Sequence, residues 1–332
     1  MPYVTLFSSS LLLGTVLSLS GSHWVFVWLG LELNLMSFIP LITSTSQYRT
    51  AEAAMTYFLA QALGSGLILM GSLSLFLTPQ MLLHPSLSSL FLLLGLITKL
   101  GLPPCHFWFP SVMTLISWPM CIILTTWQKL TPMLILFLTT LPKMSLISII
   151  IISLGTLIGG IGGMNQTQIR PLLAYSSIGH MSWMFAASTT SYAVSMIYLI
   201  FYILITLPLM LLLWSSSSTS NLSSMNINSY PQNYNLNLLI LILSLGGIPP
   251  FLGFFPKWMV LESLSSSFTV IIPMILLGSM FNLYYYMNLL FINMMSPSKL
   301  PMIFSTSPSS MPFLTLTASI SLGLAPWLLL ML

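Results

Sequence analysis

The strongest constraint on this chain is the length of its apolar runs. Cut at polar or Gly/Pro-marked breaks, it divides into eleven stretches: approximately 3–20, 23–43, 50–77, 86–117, 119–141, 145–163, 168–188, 191–214, 236–266, 268–292 and 311–331. A bilayer core takes about 20 apolar residues per helix, and each stretch is long enough to cross one. Only 3% of the residues are charged, where a soluble domain has about 25%, which excludes a water-exposed fold. The expected class is an all-α polytopic membrane protein of about eleven transmembrane helices.

Two of the stretches are interrupted. Gly101-Leu-Pro-Pro104, followed by Trp108-Phe-Pro110, is echoed by Gly247-Ile-Pro-Pro250, followed by Phe254-Phe-Pro256 and Lys257. Each proline pair withdraws two helix donors and frees the carbonyls that would have bonded to them, and broken backbone at membrane depth is tolerated only inside protein or beside water. Paired interruptions of this kind point to an ion pathway between duplicated halves. With residues 1–22 set aside as an extra N-terminal helix, 23–163 and 168–332 form two groups of five, with the broken helix third in each. An odd number of crossings per group makes the repeat inverted. Arg49, Arg170 and Lys299 fall on the side of the N-terminus and only Lys143 on the other, which places the N-terminus inside and the C-terminus outside. The first basic residue is Arg49, so neither a signal peptide nor an organelle presequence is expected. The uncharged stretch 215–235 reads as a loop.

Composition narrows the chemistry. Aspartate is absent, and the acids are Glu32, Glu52 and Glu262 alone, too few hard ligands for a calcium or magnesium cage. Cys105, Cys121 and the four scattered histidines have no zinc, haem or iron-sulfur spacing. The net charge of +4 is dispersed along the chain, so no nucleic-acid partner is expected. The phospholipid bilayer is the first partner.

Glu32 and Lys129 lie near the middle of their apolar stretches, Lys99 just before the first break and Lys257 just after the second. An ionisable group at that depth costs at least about 2.5–3.5 kcal/mol and normally faces the bundle interior and a partner. A carboxylate at about 4 Å from an ammonium, at an effective dielectric of about 20, is worth about 4 kcal/mol. Moving Glu32 relative to a lysine would therefore switch its hold on a proton. The alternative is that each lysine anchors a break by bonding freed carbonyls. His106 inside the first break, and His180 beside Ser176 and Ser177, are second-tier candidates for relaying protons. For each, a plain hydrogen bond is the structural alternative. His23 and His84 read as interfacial.

Six segments carry a resemblance: Trp28-Leu-Gly-Leu-Glu-Leu-Asn34, Glu52-Ala-Ala-x-x-Tyr-Phe-Leu59, Lys99-Leu-Gly-x-x-Pro-x-His-Phe-Trp-x-Pro110, Thr126-Trp-Gln-Lys-Leu130, Ile169-Arg-Pro-Leu-Leu-Ala-Tyr-Ser-Ser-Ile-Gly-His180 and Gly247-Ile-Pro-Pro-x-x-Gly-Phe-x-Pro-Lys-Trp258. Together they resemble the antiporter-like membrane subunits of proton-translocating NADH:ubiquinone oxidoreductase, respiratory complex I, nearly end to end. The resemblance implies an inverted five-helix repeat and a place in the mitochondrial inner membrane, beside other membrane-arm subunits. It also implies that no flavin or iron-sulfur cluster binds this chain, the complex using NAD, FMN, iron-sulfur clusters and ubiquinone elsewhere. The implied site residues are Glu32 modulating Lys99, Lys129 relaying along the axis, and Lys257 passing charge toward an exit or the next antiporter-like subunit. One departure stands out: relatives often have lysine where this chain has Thr56. Two other readings stay open, a stand-alone cation/proton antiporter and a structural subunit whose charges hold helices together.

Overall fold

The computed structural model describes residues 2–44, 48–77, 85–138, 146–217, 232–266 and 269–295. Every secondary-structure element among them is a helix: α1 (Pro2–Ser20), α2 (Trp24–Ile42), α3 (Tyr48–Leu77), α4 (Pro85–Leu100), α5 (Trp108–Leu115), α6 (Trp118–Thr125), α7 (Trp127–Leu138), α8 (Leu146–Met164), α9 (Ile169–Thr190), α10 (Tyr192–Ser217), α11 (Gln232–Gly246), α12 (Phe254–Ser265) and α13 (Ile272–Met295). Seven helical stretches among the described residues are long and apolar enough to cross a membrane, with two shorter apolar helices at Leu87–Leu100 and Leu236–Gly246. The expected segment 311–331, Lys143, Lys299, His84 and most of the 215–235 loop lie outside the described residues.

Two compact units divide inside α8, after Gly155. In the first, α3 packs on α2, α4 and α5, and α1 packs chiefly on α2. The α1–α2 crossing is a backbone contact: a Cβ added to Gly30 would lie 2.5 Å from Ser18 N and 2.8 Å from Gly14 O. In the second unit α9 is the central helix, against α10, α12 and α13. Its length suits a span, yet it is not among the seven apolar ones. Its polar side chains lower its hydropathy, and Ser176, Ser177, His180 and Ser182 among them are all covered by protein.

Both breaks follow from their Gly-x-Pro-Pro sequence. Gly101 has φ +73 and Gly247 φ +77, left-handed conformations that glycine adopts without strain. At the first, Leu102 N donates to Ile97 O at 3.1 Å and Gly101 N to Thr98 O at 3.2 Å, the crossed pair of a Schellman ending. At the second, Gly247 N is shared between Leu243 O and Ser244 O, both at 3.1 Å, a simpler αL-type ending.

The stretch 119–141, expected as one uninterrupted helix, is split at Thr126 between α6 and α7. Thr126 sits at φ -108, ψ -69. Thr125 Oγ1 donates to Cys121 O at 2.9 Å, and Thr126 Oγ1 donates to Ile122 O at 2.7 Å. Such back-bonding competes with the helix ladder and bends it, and Pro132 further along α7 removes another donor.

Candidate functional site

Carbonyls freed at the first break are taken up by side chains. In a continuous helix Pro103 would donate to Lys99 O, but proline has no N–H. Gln61 Nε2 of α3 donates there instead, at 3.1 Å. Trp108 Nε1, just beyond the break, donates to Thr98 O at 3.2 Å. The backbone of Lys99 is thereby fixed by α3 and α5, while its buried side chain turns to a cavity. Its ammonium also sits on the last turn of α4, where the helix dipole favours a cation.

That cavity holds about 20 Å³ of space for water centres and is lined by Gln61, Lys99, Phe109, Gln128, Lys129 and Thr131, among others. This is room for about one or two water molecules. Lys99 and Lys129, thirty residues apart in sequence, share its wall. The Lys129 ammonium lies 4.1 Å from the centroid of the Phe109 ring, a cation–π contact worth about 2 kcal/mol when desolvated. Phe109 is completely buried and is delivered by the start of α5, so the first break positions both lysines' surroundings. Gln128 Nε2 reaches Asn34 Oδ1 at a long 3.5 Å, linking α7 to α2. The Thr131 hydroxyl in the same wall has no hydrogen-bond partner among the described residues.

Glu32, on α2, lies within electrostatic reach of Lys99 and of the Tyr57 hydroxyl. Its Oε2 is buried without a hydrogen-bond partner among the described residues. A buried carboxylate oxygen in that condition is costly and available to a mobile donor. Thr56 donates its hydroxyl to Ala53 O of its own helix at 3.0 Å.

Lys257 belongs to the second unit and is treated differently. Pro250 would donate to Gly246 O in a continuous helix; the Lys257 ammonium, one turn into α12, donates to that oxygen at 2.8 Å. On α9, His180 Nδ1 lies 3.0 Å from the Tyr198 hydroxyl of α10, and the Tyr202 ring is 5.6 Å from the imidazole. Ser176 and Ser177 donate to Leu173 O and Ala174 O of their own helix, at 2.9 and 2.7 Å. Their oxygens keep acceptor capacity toward the buried tyrosines of α10 and α13. His106 is apart from these groups: Nδ1 lies 3.3 Å from Pro104 O, and its ring meets the exposed Phe107 at 4.1 Å. It is not in the cavity wall.

Sequence reasoning missed Gln61, Phe109 and Tyr198. Gln61 alone left a signal, an amide with no local use in the middle of an apolar stretch. Phe109 and Tyr198 are ordinary aromatic residues until the helices around them are in place.

The family model described as "NADH:quinone oxidoreductase/Mrp antiporter, TM" matches residues 21–282, and the chain belongs to this family of membrane subunits. At closer range it is similar to NADH-ubiquinone oxidoreductase chain 2 of Lumbricus terrestris, with 39% identity over 99% of this chain and 98% of the relative. The protein of the same name from Equus asinus is 37% identical over 98% of this chain and 97% of its own. Among solved structures, a chain of respiratory complex I from Thermus thermophilus with bound aureothin superposes with a TM-score of 0.82 at 24% identity, over 97% of this chain and 78% of that one. A chain of an archaeal membrane-bound sulfane sulfur reductase gives 0.86 at 16% identity, over 96% and 71%. These two likenesses speak to the fold.

Proposed function

We propose that this chain is a proton-translocating membrane-arm subunit of NADH:ubiquinone oxidoreductase in the mitochondrial inner membrane, flanked by other membrane-arm subunits, the antiporter-like ones included. The observation that carries the reading is the shared wall of Lys99 and Lys129 in a water-sized cavity, with Glu32 in electrostatic reach. Family membership and the chain 2 relatives support the complex to which the subunit is assigned. Electron transfer takes place on other subunits, and their energy reaches this chain as a change in the Glu32–Lys99 pair.

In this reading the Glu32 carboxylate holds the Lys99 ammonium when close and releases it when withdrawn. Water in the cavity carries the proton between Lys99 and Lys129, whose ammonium lies over the Phe109 ring. Lys257 then passes charge toward the exit or the adjoining subunit, with His180 and its neighbouring hydroxyls as a relay within α9 and α10. The inverted repeat of 23–163 and 168–332, eleven crossings and an N-terminus on the matrix side belong to the same proposal. A second reading, in which the lysines only hold helices together, is favoured at one place, where Lys257 bonds a freed carbonyl.

Lys129→Met separates the two. In assembled complex, verified on a native gel, proton pumping per NADH or turnover is expected to fall on the order of tenfold or more. Normal pumping stoichiometry at normal turnover would overturn the proposal and make the subunit a scaffold.

A further inference from the structure

Glycine at 247 has two separate reasons to be there, and only one of them is shared with Gly101. Both residues end a helix with φ in the left-handed region, a demand that asparagine also meets. They differ in what a side chain would strike. A Cβ on Gly101 would lie 3.2 Å from Phe109 Cβ and 3.3 Å from the Trp108 ring. A Cβ on Gly247 would lie 2.7 Å from Lys257 Nζ and 3.0 Å from both Cδ and Cε of the same side chain. The space that Gly247 leaves open is filled by the end of a lysine.

That lysine end has one place to be. Its Nζ donates to Gly246 O at 2.8 Å, the oxygen from which Pro250 withholds a donor. The αL-type ending at Gly247 uses its single N–H on Leu243 O and Ser244 O, so it offers nothing to Gly246. An adjacent Cβ would push the flexible Lys257 side chain away and leave a buried carbonyl unbonded.

We propose that Gly247 is a positioning residue for Lys257: the missing Cβ opens the gap through which the ammonium reaches the Gly246 carbonyl and closes the end of α11. The consequence for conduction rests on the role proposed above for Lys257. The positioning itself does not.

The test is a double-mutant cycle in assembled complex on the melting midpoint, with Gly247→Asn and Lys257→Met as the two arms. Asparagine tolerates the left-handed backbone, so it adds the Cβ without demanding a new chain path. Methionine has no donor to tie its flexible end to Gly246, so it swings aside from an added Cβ at no loss of a bond. Gly247→Asn is expected to lower the midpoint by a few degrees and to lower it no further when Lys257→Met is present. Gly101→Asn, in the same cycle, is expected to add its full shift to that of Lys257→Met. If Gly247→Asn also adds in full, the glycine serves the backbone alone and the proposal is overturned. Should Gly247→Asn fail to assemble, recovery of assembly by Lys257→Met supports the proposal and no recovery overturns it. Pumping reads the other claim independently. A coupled cycle together with normal pumping by Lys257→Met would support the positioning while removing Lys257 from the conducting axis.

Discussion

The two broken helices share the Gly-x-Pro-Pro sequence, yet the carbonyl closed by a side chain lies opposite the first proline in one and opposite the second in the other, and the donors differ in charge. At the first, the orphaned Lys99 carbonyl is satisfied by an uncharged amide from another helix, and the lysine's own ammonium turns to the cavity it shares with Lys129. At the second, the orphaned Gly246 carbonyl is satisfied by the ammonium itself. Position 111, which corresponds to Lys257 when the motifs are aligned, is a serine that donates to Phe107 O and Trp108 O within its own helix. The lesson concerns where charge is stored. A break closed by a neutral group leaves its lysine available for other partners, whereas a break closed by its lysine ties the backbone to that lysine's state.

The contrast is most sharply broken at Lys257. Lys257→Met removes a charge-assisted bond to a buried carbonyl and is expected to cost about 1.5–3 kcal/mol of stability, read as a lowered melting midpoint of the assembled complex. Should the midpoint not move, the second break is held by something other than its lysine. Gln61→Leu applies the same question to the first break. Leaving Lys99 O unbonded is expected to cost about 1–3 kcal/mol without removing any charge, so stability falls while Lys99 remains. Equal losses in stability with unequal losses in pumping, larger for Lys257→Met, would sharpen the distinction between neutral and charged closure. The smallest expected effect is that of Trp108→Phe. Thr98 O keeps its bond from Gly101 N, so losing the indole donor is expected to cost about 0.5–1.5 kcal/mol, measured by the same thermal assay.

Much of this was legible in the sequence because it depends on local chemistry. Prolines and glycines break helices wherever they stand, so both interruptions and the ends of α4 and α11 could be read directly. Burial of Lys99, Lys129 and Lys257 followed from their depth in apolar runs. What could not be read depends on the register between helices. Nothing in the sequence says that Gln61 of α3 faces Lys99 O, or that Phe109 slides under Lys129. The split at Thr126 lay in between: two threonines and a later proline are visible, but their hydroxyls compete with the ladder only when they rotate back onto it. His106 shows the reverse limit. Its place inside the break drew attention, and its Nδ1 lies against the carbonyl of nearby Pro104.

The close crossing of α1 and α2 bears on how the chain is made. α1 turns many of its large apolar side chains outward, among them Leu6, Leu13 and Val16, so lipid alone can accept it early in synthesis. Its seat, however, is a groove cut by Gly30 on a helix that follows it out of the ribosome. With backbone set against backbone, even a methyl at Gly30 meets Ser18 N and Gly14 O. A single alanine there would therefore act during biogenesis, leaving α1 inserted in the bilayer but undocked.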